Sequence, residues 1–78
     1  MYTDEMRRAF RSVPPVQGFK VEVLDNDHFL VVRLDTESLM RLSGEDKKRA
    51  VIYAIQVKEA LEQAGAVVLV TRTPYEDR

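Results

Sequence analysis

The chain is predicted to be an α+β domain: a two-layer α/β sandwich in the order α-β-β-(short α)-α-β, with a long helix packed on one face of a three-stranded sheet. Three stretches predict it. Residues 19–23 alternate apolar and polar, and a polar break at residues 25–28 separates them from the apolar run of residues 29–34, the pattern of a hairpin. From Ser43 to Ala64 the apolar residues recur at helical spacing. Ala66-Val67-Val68-Leu69-Val70-Thr71 is a run of β-favouring residues without polar alternation, as in a strand shielded on both faces.

Taken in order, residues 1–13 form an N-terminal amphipathic helix. Thr3 is its cap, and Asp4 and Glu5 lie in the first turn, where the helix dipole favours acids. Met6, Ala9, Phe10 and Val13 fall on one side, and Arg7, Arg8 and Arg11 lie outside it. Pro14-Pro15 stops the helix, because proline offers no amide donor and pushes its predecessor out of the α region. At about ten residues it is too short to stand alone, so Met6 and Phe10 must dock on another element.

Past Gly18, a two-residue turn at Asn26-Asp27, both tolerant of positive φ, sets a hairpin register. It pairs Phe19 with Leu34, Val21 with Val32 and Val23 with Leu30 on one apolar face. The other face pairs Lys20 with Arg33, Glu22 with Val31 and Leu24 with Phe29, with Glu22 diagonal to Arg33. Leu24, Phe29 and Val31 are thereby an apolar patch on the outer side.

Asp35-Thr36 caps a short helix from Glu37 to Leu42, and Ser43, three residues before Asp46, resembles a capping box opening the long helix. Ala50, Tyr53, Ala54, Val57, Ala60, Leu61 and Ala64 form the stripe that faces the sheet. Val51, Ile52 and Ile55 lie off it, a second apolar patch that either the first helix or another chain covers. Gly65 ends the helix, since glycine enters φ > 0 without a Cβ clash. Pro74 ends the last strand, and residues 74–78 are expected to fray.

A crossover through the long helix makes the last strand parallel to the second, and a tight hairpin leaves it at a sheet edge. Edge strands usually carry charge or proline, yet this one is apolar up to Arg72. Its free edge, with Val68 and Val70, is expected to pair with a symmetry mate or to be covered. The patches Leu24/Phe29/Val31 or Val51/Ile52/Ile55 are expected to join that contact.

Composition excludes several classes. Twelve Lys and Arg against thirteen Asp and Glu give a net charge of −1, unlike a general polyanion binder, and the apolar content is unlike that of a disordered chain. There is no cysteine, hence no disulfide and no thiolate ligand. No apolar run approaches the roughly 18 residues of a membrane span, and the start lacks the apolar core of a signal peptide, so the expected location is the cytoplasm.

Candidate chemistry is sparse. His28 with Asp25 and Asp27 has metal-ligating residue types, but the same residues make a polar hairpin turn, and turn chemistry is the reading adopted. Ser43 has no base placed near it, Tyr53 belongs to a helix-sheet seam, and no phosphate loop, dinucleotide fingerprint or carboxylate pair occurs. No cofactor, metal or catalytic residue is therefore expected.

Arg49-Ala50-Val51-Ile52-Tyr53-Ala54-Ile55 and Gly65 through Glu76 resemble the helix and last strand of BolA-like proteins, whose fold is similar to the class II KH arrangement. The resemblance covers about half the chain and implies a fold. The family's histidines in the helix and at the start of the last strand are absent, so cluster ligation with glutaredoxins does not carry over. The KH loop Gly-x-x-Gly corresponds to Gly44-Glu45-Asp46-Lys47, where the second glycine is missing and two acids would repel a phosphate backbone.

The resulting expectation is a small non-catalytic interaction or regulatory module of a bacterium or its phage, self-associating as a homodimer and serving a protein partner. The alternative is a KH-like nucleic-acid binder using Arg7, Arg8 and Arg11 with Lys47 and Lys48, which a salt-dependent gel shift would reveal.

Overall fold

A computed structural model describes residues 1–74. Its elements are α1 (Asp4–Ser12), β1 (Val21–Asn26), β2 (Phe29–Leu34), α2 (Thr36–Arg41), α3 (Gly44–Gln63) and β3 (Val68–Arg72). The sheet order is β1-β2-β3, with β1 antiparallel and β3 parallel to β2. The α+β order expected from the sequence is the one observed, and β3 is at an edge. Apart from Pro74, the tail expected to fray lies outside the described residues.

The Thr3 hydroxyl accepts a hydrogen bond from the Met6 amide at 3.1 Å, satisfying one of the donors that a helix start leaves unpaired. α1 then lays Met6 into the core, followed by Val13 at its C-cap, and packs against α3. Its start is also tied to the hairpin. The Met1 amino group lies 3.1 Å from the Asp25 carboxylate, which accepts from the Tyr2 amide at 3.1 Å.

The hairpin turns one residue later than expected. Asp27-His28 is the two-residue loop, Asp27 adopts φ 35°, and the His28 amide donates to the Asn26 carbonyl. The pairs are Val21 with Leu34, Glu22 with Arg33, Val23 with Val32 and Leu24 with Val31, in place of those expected. The physical gain is electrostatic. The expected register set Lys20 against Arg33, whereas the observed one places Glu22 directly opposite Arg33, in an ion pair of 2.6 Å. Lys20 moves beside Asp35, whose amide donates to the Lys20 carbonyl at 3.2 Å. Because each strand residue keeps its parity, the faces are unchanged and the apolar inner face survives.

α3 buries Ala50, Tyr53, Ala54, Val57 and Leu61, the stripe read from its periodicity. Two of its details differ. The Ser43 hydroxyl donates to the Asp46 carboxylate at 3.2 Å instead of accepting from the helix backbone, and Asp35, at the N-cap of α2, makes no side-chain cap bond. At its other end the Gly65 amide reaches the Glu62 carbonyl at 3.0 Å and the Ala66 amide reaches Leu61 at 3.0 Å. These paired bonds define a Schellman cap, with Gly65 at φ 100°.

Leu30, Val32, Val57 and Leu61 are the largest fully buried side chains. Phe19, just before β1, meets Tyr53 edge to face with centroids 6.4 Å apart. β3 departs from the reading of a strand shielded on both faces: it begins two residues later, and only Val68 is buried. Side chains stand above and below a sheet, so their cover comes from what packs on its faces and not from a neighbouring strand.

Candidate functional site

β3 meets β2 on one side only. Its carboxyl end is closed by Thr73, whose amide donates to the Leu34 carbonyl at 2.9 Å. The other edge faces outward among the described residues and carries Val67, Leu69 and Val70 at 65%, 52% and 46% exposure. No charged residue interrupts it before Arg72.

The two faces of the sheet are unequal. Alternation puts Val68 and Val70 on the side of Leu30 and Val32, where α3 packs. Leu69 stands on the opposite side, opposite Val31, which is itself opposite Leu24. Leu24, Val31 and Leu69 thus form one apolar row across all three strands, with Phe29 two residues before Val31. None of the four joins the buried core cluster. The patch expected at Leu24, Phe29 and Val31 is therefore present on the outer face, and it extends to Leu69.

Leu69 is the member of this row that the sequence does not point to. Its signal was the parallel register, which pairs it with Val31 and which the sequence alone does not fix. Val68, by contrast, is expected at the interface but is buried on the α3 side of the sheet, so it serves the core. Val70 shares its face yet stays half exposed.

The second patch also exists. Val51, Ile52 and Ile55 are each about half exposed although α1 packs on α3, so α1 does not cover them. Lys47 and Lys48 flank a shallow hollow that Val51 and Ile52 line.

The basic residues are dispersed. The Arg7 guanidinium lies 4.3 Å from the centroid of the Tyr2 ring, a cation–π contact. Arg8 and Arg11 are exposed on α1. Lys47 and Lys48 follow Glu45 and Asp46 at the start of α3, and Asp46 lies 3.6 Å from Arg49.

His28 is exposed in the hairpin loop, and among the described residues no group of three or more His, Asp or Glu is placed to hold a metal ion. The Tyr53 hydroxyl is pushed above its ordinary pKa by burial, as expected of a side chain at the seam of helix and sheet. Burial also raises Tyr2, partly offset by Arg7 and Arg11. No helix among the described residues is long and apolar enough to cross a membrane. No protein-family model, curated protein or solved structure matches the chain.

Proposed function

We propose that this protein is a small non-catalytic interaction module that associates with itself as a homodimer. The observation that carries this reading is the edge of β3, which has no strand neighbour beyond β2 among the described residues and presents apolar side chains instead of the charges or proline that usually blunt such an edge. The apolar outer row of Leu24, Val31 and Leu69 supports it, since contiguous exposed apolar surface commonly marks a contact. Small size adds a reason: a 78-residue chain buries a limited core by itself and gains from further burial.

Multi-angle light scattering at high micromolar concentration tests the proposal. A dimer that dissociates on dilution is expected, and a monomer throughout would overturn it.

A further inference from the structure

Resting on the proposed self-association, we infer that a second copy adds to the free edge of β3 in antiparallel register, about a two-fold axis between Leu69 and Leu69 of the second copy. The result is a continuous six-stranded sheet with its helices on one face.

The backbone sets which groups are available. The Leu30 amide donates to the Val67 carbonyl at 2.8 Å and the Thr73 amide to the Leu34 carbonyl at 2.9 Å. Backbone groups of alternate strand residues point to the same neighbour. Val67, Leu69, Thr71 and Thr73 therefore engage β2, and Val68 and Val70 direct their N–H and C=O groups to the open edge. An antiparallel copy satisfies both when Val68 lies opposite Val70 of the second copy, and the two-fold repeats the pair.

The side chains fit this register. On the outer face it sets Leu69 against Leu69, so the row Leu24, Val31, Leu69 continues unbroken into the second copy. On the helix face the half-exposed Val70 comes beside the buried Val68 of its partner. Charge agrees: Arg72 falls opposite Ala66 of the second copy, just past the carboxyl end of that copy's α3. This end has no basic residue in its last turn and carries the negative pole of the helix, its Glu62 being already paired with Lys58 at 3.1 Å. Sliding the copies so that Val70 meets itself would leave Leu69 facing Thr71. A further slide would bring in Pro74, which has no N–H to donate.

Single-cysteine variants of the full chain test this, since the native chain contains no thiol. A directly opposed non-hydrogen-bonded pair has Cα atoms about 4.5 Å apart, within the window for a disulfide. Leu69→Cys is expected to form a covalent dimer on mild oxidation, read on a non-reducing gel. Thr71→Cys, equally at the edge, lies roughly 13 Å from its own counterpart in this register and is expected to cross-link far more slowly. A mixture of Val67→Cys and Thr71→Cys should give the heterodimer. Rapid linkage of Val70→Cys in place of Leu69→Cys, or linkage only through Ile52→Cys on α3, would overturn the inference while leaving dimerisation intact. A light-scattering monomer would overturn both.

Discussion

Thr36 and Thr73 hydrogen-bond to each other reciprocally. The Thr36 amide donates to the Thr73 hydroxyl at 3.1 Å, and the Thr36 hydroxyl donates to the Thr73 carbonyl. The pair ties the start of α2 to the end of β3, two segments far apart in sequence, and Thr36 is buried. Thr36→Val keeps the shape and removes the hydroxyl, leaving a shielded carbonyl without its donor. A loss of about 1–3 kcal/mol is expected, measured as a lower urea midpoint, while Thr73→Ser should preserve both bonds and change little.

Val68 and Val70 share a face of β3 but differ in cover. Val68→Lys forces an ammonium under α3 and should unfold the domain, seen as loss of the cooperative far-ultraviolet thermal transition. Val70→Lys has solvent to reach, so the dilute protein should remain within about 0.5 kcal/mol of the native chain. At high concentration the same variant should have lost self-association by light scattering, because a charge on an edge strand opposes pairing.

Gly65 holds φ 100° at the Schellman cap, with open space where a Cβ would stand. Its substitution is therefore resisted by backbone conformation and not by crowding. Gly65→Ala is expected to cost about 1–2 kcal/mol, and Gly65→Asn less, since asparagine tolerates positive φ better. Chemical denaturation of the two variants side by side checks the order.

Burial raises the Tyr53 hydroxyl above its ordinary value of 10.0. The unfolded chain therefore ionises this group first, so its contribution is fully present below pH 10.0 and is lost as pH climbs through the folded value. Thermal melts from neutral pH to pH 11 should show destabilisation beginning near pH 10, and Tyr53→Phe should flatten that alkaline limb. An unchanged limb in the variant would assign the effect to other groups.

Local chemistry made much of the fold legible. Thr3, Pro14 and Gly65 marked helix ends because caps and stops act within a few residues, and the 3.6-residue period of Ala50, Tyr53, Val57 and Leu61 named the face that α3 buries. The hairpin's pairs were not legible. Asn26-Asp27 and Asp27-His28 both make a polar two-residue loop, and the choice between them lies in partners a strand away, where Glu22 meets Arg33. The candidate site followed the same division. The apolar character of β3, Leu24, Phe29, Val31, Val51, Ile52 and Ile55 was plain in the sequence, whereas assigning Val68 to the core and Leu69 to the surface required the β2–β3 register.

The sequence by itself determined the order of elements, the inner face of the sheet and the apolar nature of its last strand, because hydrophobic period and turn chemistry are properties of near neighbours. Only the tertiary structure decided which side chains of that strand are core and which are surface. Burial depends on what packs from elsewhere in the chain, and α3 reaches over Val68 but leaves Val70 half exposed, with Leu69 on the sheet's other face.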